Sequence, residues 1–321
     1  EKAKMRVHEV RALRAFFYLE LAKRYGDIPL LTRTYQIDEI NSVEKTPFDK
    51  VIDFIVDECD KAAPELPVSY KDFYNETGMA MSVKARALLY AASKLHNPSH
   101  DTDKWKKAAK ASYDIIKTGW YTLPNIDVDP LYDVNGGNVV LNSSQLIFER
   151  RNNDDNAFES RNLPIGFENG NSGNTPTQNL VDAYEMADGT PFSWENTKHA
   201  SKPYSERDPR FYKAILYNEA SFMGTKIETF EGGRNASPIT GATLTGYYLR
   251  KYMNETVSLS PTNPIKKPHH FILFRYAETL LNYAEAMNEL GGPDYKVSDR
   301  LTAREALNQV RAAANMPPIE D

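Results

Sequence analysis

Small apolar residues recur at helical spacing in four consecutive segments at the start of the chain and in two more near its end. Each of the early segments is closed by glycine or proline, and the long stretch between the two groups has no such period. This pattern restricts the chain to paired helices packed through narrow alanine faces, interrupted by one irregular insertion. The first segment is predicted as a helix from Met5 to Tyr25, with Ala12, Ala15, Leu19 and Ala22 as its apolar stripe and Gly26 as its left-handed stop. Pro29 then enforces an extended exit through Ile28-Pro29-Leu30-Leu31. A second helix opens at Thr46-Pro47-Phe48-Asp49, where Thr46 is placed to cap, and stops before Pro64. Val51, Ile52, Ile55, Val56 and Cys59 form its inner face, leaving Asp53, Asp57, Glu58 and Asp60 toward water.

A third helix from Ala80 to Leu95 and a fourth from Asp103 to Thr118 set Ala85, Leu88, Leu89 and Ala92 against Ala108, Ala109 and Ile115, with Gly119 as a second stop. The period vanishes after Ile147 and returns at Arg275 to Leu290 and Thr302 to Ala314, where Thr302 and Glu305 spell a capping box. Alanine-rich pairs of this length are TPR-like, although the full repeat consensus is absent. The expected fold class is therefore mostly α: a TPR-like helical-pair scaffold over residues 1–147 and 274–321, with a long irregular, partly β insertion over 148–273, all within a single domain. Within the insertion only short segments such as Phe211 to Leu216 and Tyr247 to Tyr252 carry strand signals, amid many Asn, Gly, Pro and Ser residues. Long loops without their own period are disproportionately functional, which directs attention to this stretch.

Composition narrows the function. A chain of 321 residues with 41% hydrophobic and 26% charged residues is an ordinary globular sequence. Its net charge of -5, with both signs interspersed, offers no basic face for nucleic acid. The single Cys59 forms no internal disulfide, and no stretch approaches the roughly 20 apolar residues of a membrane span. There is no Gly-x-Ser-x-Gly elbow, no phosphate-binding glycine loop and no His-Glu-x-x-His pair. The doublet His269-His270 lacks a third metal ligand, so no metal or catalytic residue is assigned, and no cofactor; nothing in the sequence supports a structural calcium ion.

Longer motifs run in order along the chain. They begin with Ala12-Leu13-Arg14-Ala15-Phe16-Phe17-Tyr18 leading to Tyr25-Gly26-Asp27-Ile28-Pro29-Leu30. Then come Pro176-Thr177-Gln178-Asn179-Leu180-Val181-Asp182-Ala183-Tyr184-Glu185-Met186 with Asp188-Gly189, Arg207-Asp208-Pro209-Arg210-Phe211, and Thr245-Gly246-Tyr247-Tyr248-Leu249-Arg250-Lys251. Phe274-Arg275-Tyr276-Ala277-Glu278-Thr279-Leu280-Leu281 and Ala284-Glu285-Ala286 close the set. In this order the motifs resemble the SusD/RagB family over nearly the whole chain. The resemblance implies a SusD-like, lipid-anchored protein on the outer face of the Bacteroidetes outer membrane, which captures glycans or peptides without catalysis and delivers them to a SusC-like TonB-dependent transporter. Family members begin with a lipoprotein signal and a further helical segment, and continue past Val310-Arg311; measured against them, this sequence looks like a trimmed chain that lacks the anchor and part of the site.

Candidate ligand residues follow from sugar chemistry. A pyranose presents C–H faces that stack on aromatic rings and hydroxyls that require amide, carboxylate or guanidinium partners. The stretch from Arg151 to Asn174 holds that mixture, and from it Arg151, Asn153, Asp155, Phe158, Phe167 and Asn169 are selected, although asparagines in such loops also serve turns. Trp194, in the polar run Pro191-Phe192-Ser193-Trp194-Glu195-Asn196, is the leading stacking residue, and Tyr74 beside Phe73 is placed at the rim. Trp105 and Trp120 flank the fourth helix and read as packing residues, Trp105 half exposed beside Lys104, Lys106 and Lys107. The expected activity is oligosaccharide binding. Its rivals are a peptide-capturing member of the same family, a helical-repeat scaffold that docks another protein, and a glycoside hydrolase, for which no second carboxylate at a defined separation is identifiable.

Overall fold

The structure is a computed structural model, and it describes residues 2–68, 76–132, 143–298 and 300–320. In chain order the described helices are α1 (Lys2–Tyr25), α2 (Ile37–Ile40), α3 (Phe48–Ala62), α4 (Glu76–Ala92), α5 (Thr102–Ile116), α6 (Ala157–Asn162), α7 (Gln178–Asp182), α8 (Thr197–Ser201), α9 (Pro209–Ala214), α10 (Tyr276–Gly291) and α11 (Ala303–Ala313). The strands are short: β1 (Leu146–Arg150), β2 (Asp154–Asp155), β3 (Ile215–Leu216), β4 (Ser221–Phe222), β5 (Thr225–Lys226), β6 (Tyr248–Leu249), β7 (Lys267–Pro268) and β8 (Phe271–Arg275). They pair only as β1–β8, β2–β7, β3–β6 and β4–β5. The protein is thus mostly α.

The chain forms two compact units. One comprises Glu1–Leu123, Gln145–Phe148 and Leu273–Leu307; the other comprises Pro124–Ser144, Glu149–Ile272 and Asn308–Asp321. In the helical unit α1 packs on α3, α3 on α4, α4 on α5 and α5 on α10. The alanine stripe lies inside as the periodicity requires: Ala12, Ala15, Leu19 and Ala22 are all buried, as are Val51, Ile55 and Cys59 of α3. Gly26 takes a φ of +66° and donates its N–H to Ala22 at 2.8 Å, ending α1. The capping box at α11 forms as read: Thr302 N–H donates to Glu305 Oε2 at 2.7 Å and Glu305 N–H to Thr302 Oγ1 at 3.1 Å. Arg86 of α4 grips Glu278 of α10 through two nitrogens at 2.6 Å.

Four local expectations are corrected. Thr46 does not cap α3, because its backbone is engaged in a β-bridge with Ile28; Asp27 Oδ1 accepts the Phe48 N–H at 2.8 Å instead. Glu58 does not face water. It is buried, and Arg11 Nη1 at 2.8 Å and Arg14 compensate its charge. Trp105 is buried rather than half exposed, since it stands at helical spacing from Ala108, Ala109 and Ser112 on the inner side of α5. Finally α4 ends at Ala92, not Leu95, because the Asn97 amide donates to the Ala92 carbonyl at 3.2 Å and replaces the next helical bond.

The second unit contains the short helices α6 to α9, which hydrophobic period does not reveal. Each is begun by a side chain or backbone device: Thr177 accepts from Leu180 N–H, Asn196 from Lys198 N–H, and Asp208 from Arg210 N–H ahead of Pro209 at the first helical position. The segment Phe211 to Leu216 consequently starts as α9 and becomes strand only at β3, which pairs antiparallel with β6, Ile215 opposite Leu249 and Leu216 opposite Tyr248. Two apolar clusters hold the unit. One gathers Leu163, Leu216, Phe222, Ile227, Tyr248 and Met253. The other gathers Val181, Phe211, Ala214, Ile215 and Tyr247.

Candidate functional site

The sequence-selected residues that the structure describes fall at three places in the second unit. Arg151 donates from Nε to Glu149 Oε1 at 3.1 Å, and Asn153 is exposed beside it. Asp155, on β2, accepts the Ala157 N–H at 3.1 Å and so helps start α6. Phe158 lies edge-on to Tyr252 at 4.9 Å and against the His269 ring at 5.7 Å. His269 in turn meets Glu159 Oε1 at 2.8 Å. Burial pulls that histidine's pKa down, but the hydrogen bond and charge of Glu159 prevail and leave it raised.

At the second place Phe167 packs partly buried against the first apolar cluster, edge-on to Phe222 at 5.5 Å, with the Arg234 guanidinium 5.5 Å from its centroid. Asn169 has a φ of +55° and donates to the Leu259 carbonyl at 2.9 Å, the turn role open to an asparagine. Tyr74 lies outside the described residues.

Trp194 stands apart from both. The residue is 47% exposed, and its indole N–H points to the Asp182 carboxylate, 3.2 Å from Oδ1 and 3.1 Å from Oδ2. Asp182 closes α7, where its Oδ1 also accepts the Gln178 amide at 2.7 Å, and the Gln178 carbonyl oxygen accepts from Tyr247 OH at 3.1 Å. The acceptor is therefore tied through two bonds to a buried tyrosine. On the other side Trp194 meets Phe192 edge-on at 5.1 Å. Phe192 is covered by the guanidinium of Arg207 at 4.1 Å and by the His199 ring at 5.7 Å. His199 Nδ1 accepts the Ser193 N–H at 3.2 Å, which fixes the loop on both flanks of Trp194.

Arg207 supports this arrangement. Only 2% exposed, it donates to the carbonyls of Pro203 at 2.7 Å, Val181 at 2.6 Å and Tyr184 at 2.7 Å, two of them at the carboxy end of α7. Burial lowers its pKa. Asp182, Phe192, His199 and Arg207 were not selected from the sequence. The spacing of Gln178 and Asp182, one helical turn apart, is visible in the sequence, but nothing local ties it to Trp194 twelve residues on.

Chemically, the Trp194 site offers a flat apolar face, a polar surround from Glu195, Asn196 and Lys198, and fixed geometry. Among the described residues no group of three or more His, Cys, Asp or Glu is placed to hold a metal ion. Among them, too, no helix is long and apolar enough to cross a membrane.

A unit of paired helices and an irregular unit of short helices and two-stranded pairs are similar in fold to solved SusD-like proteins. Residues 144–321 match the family described as the SusD family. SusD-like protein P38 of Formosa agariphila is 24% identical over 97% of this chain, which spans 57% of that relative. A SusD-like protein of Bacteroides fragilis aligns with a TM-score of 0.81 at 24% identity, over all of this chain and 64% of its own. A second protein of that organism, described as a SusD-like carbohydrate binding protein, gives a TM-score of 0.80 at 26% identity, over all of this chain and 62% of its own. The chain belongs to the SusD family, and it spans less than two thirds of each of these relatives.

Proposed function

We propose that the protein binds oligosaccharides without chemically altering them, at the outer face of an outer membrane to which a lipid holds it, and hands them to a SusC-like TonB-dependent transporter. The observation that carries the glycan reading is the Trp194 ring, half exposed yet held at its edge by Asp182. An aromatic plane that faces water with its edge engaged by the protein is what a sugar's C–H face can stack on. Membership in the SusD family and the carbohydrate-binding relative in Bacteroides fragilis support the same reading. Transport in partnership and membrane anchorage rest on the family alone.

The test is calorimetric titration with a panel of neutral and uronic-acid hexasaccharides and short peptides, repeated with Trp194→Ala. Covering about 60 Å² of ring with a sugar face is worth about 1.5 kcal/mol, so the substitution weakens sugar binding about tenfold. Sugar binding unchanged by the substitution refutes the Trp194 site, and saturable binding of peptides alone replaces the glycan reading with a peptide one.

A further inference from the structure

The following step rests on the reading of Trp194 as a stacking plane. We infer that Asp182 is the positioning and specificity-determining residue of that plane, and that the ligand taken there is a neutral pyranose in preference to a uronic or sulfated sugar.

An exposed tryptophan on a loop ordinarily samples several rotamers, and a ligand that needs one of them must select it, with a corresponding loss of affinity. Trp194 is held on two sides. Phe192 meets its ring at 5.1 Å, while Asp182 accepts the indole N–H with both oxygens at 3.1 and 3.2 Å. The acceptor does not drift, because Gln178 donates to the same carboxylate at 2.7 Å and Tyr247, only 3% exposed, donates to Gln178. The ring is pre-set before any ligand arrives.

Two consequences follow for the ligand. The indole N–H, which is the ring's only polar donor, is engaged by the protein, so recognition at the ring runs through its π-face and the ligand must present a C–H face. The carboxylate at the ring edge also places negative charge beside the bound sugar, with exposed Glu195 adding to it and exposed Lys198 and the buried Arg207 cation, which interacts with Asp182, opposing it in part. At about 7 Å in a solvated setting, a charge–charge term of this kind is worth a factor of about three. A carboxylate or sulfate on the sugar is therefore disfavoured, whereas hydroxyls are not.

The first readout needs no ligand. In an ¹⁵N–¹H correlation spectrum the Trp194 indole signal is assigned by its disappearance in Trp194→Phe. Asp182→Ala is expected to shift this signal upfield and speed its exchange with water, while Asp182→Asn, which keeps an acceptor oxygen in place, leaves it close to the unsubstituted protein. An indole signal insensitive to Asp182→Ala overturns the positioning role. The second readout compares affinities for laminarihexaose and hexagalacturonate. The unsubstituted protein is expected to favour the neutral sugar about threefold or more, and Asp182→Asn to bring the ratio toward one. A ratio unmoved by Asp182→Asn overturns the specificity role. If neither sugar binds and Trp194→Ala changes no titration in the wider panel, the stacking reading itself falls and the preference falls with it, while the spectrum still decides the positioning role.

Discussion

Replacing Arg207 with methionine isolates what one buried cation does for the unit that carries the site. Methionine approximates the aliphatic length of the arginine, so little volume is lost and the change is chiefly the removal of the guanidinium. Three charge-assisted bonds disappear, to Pro203, Val181 and Tyr184, each worth about 1.5–3 kcal/mol. The contacts over Phe192 at 4.1 Å and Phe211 at 5.0 Å go with them, at about 1 kcal/mol apiece. Against this, the variant no longer withdraws a cation from water, a penalty of several kcal/mol that burial imposes and that the lowered pKa of Arg207 registers. The Tyr184 carbonyl loses its charged donor and the Val181 carbonyl keeps only backbone N–H groups, that of Tyr184 at 3.4 Å, so the balance is a loss of about 3–5 kcal/mol. With a urea slope of about 3 kcal/mol/M, the unfolding midpoint falls by about 1–1.7 M. Urea titration followed by the Trp194 indole signal reports on this unit directly. Arg207→Lys, which keeps the charge but not the planar fork, is expected to fall between. A loss below about 1 kcal/mol in Arg207→Met refutes the argument, since it means that the three carbonyls find water or that the cation's desolvation cancels its bonds.

Two further outcomes are expected from the same unit. The folded state of His269 holds its proton more tightly than an unfolded histidine, so its contribution is fully present below about pH 6.5 and is lost as pH rises through the raised folded value. The melting temperature of His269→Asn subtracted from that of the unsubstituted protein should shrink on going from mildly acidic to alkaline buffer, and a difference that grows instead reverses the assigned sign. Gly166 has a φ of +94°, and a Cβ there would stand 2.6 Å from the Arg234 carbonyl oxygen and 2.6 Å from Asn235 Nδ2. Gly166→Ala combines backbone strain with a clash against backbone, so it should cost about 3 kcal/mol by urea unfolding, and a cost under about 0.5 kcal/mol means the loop shifts freely.

The helical unit was legible because its information is periodic. Ala12, Ala15, Leu19 and Ala22 repeat on one face, and a repeat of that length survives errors at either end. The period even held where composition misled: Trp105 sits among lysines in sequence, yet its spacing to Ala108, Ala109 and Ser112 places it inside. What failed were choices made by distant partners. Asp27 rather than Thr46 caps α3, and Glu58 is drawn inward by arginines one helix away. Neither partner lies within the window that local patterning reads.

The irregular unit was legible in kind but not in detail, for a related reason. Helices of five or six residues complete less than two turns, so they carry no period, and only their caps at Thr177, Asn196 and Asp208 betray them. The same economy governs the candidate site. Trp194 stands out in sequence because a large ring in a polar loop is anomalous, but what makes it useful is Asp182, twelve residues earlier on a different element. Asp182 is an ordinary helix-terminal acid until the fold brings the indole to it. Residues that touch a ligand are chosen by chemistry that the sequence displays, whereas residues that hold them still are chosen by geometry that only the fold supplies. That is why Trp194 was selected and its support was not, and why the Asp182 variants test the more informative half of the site.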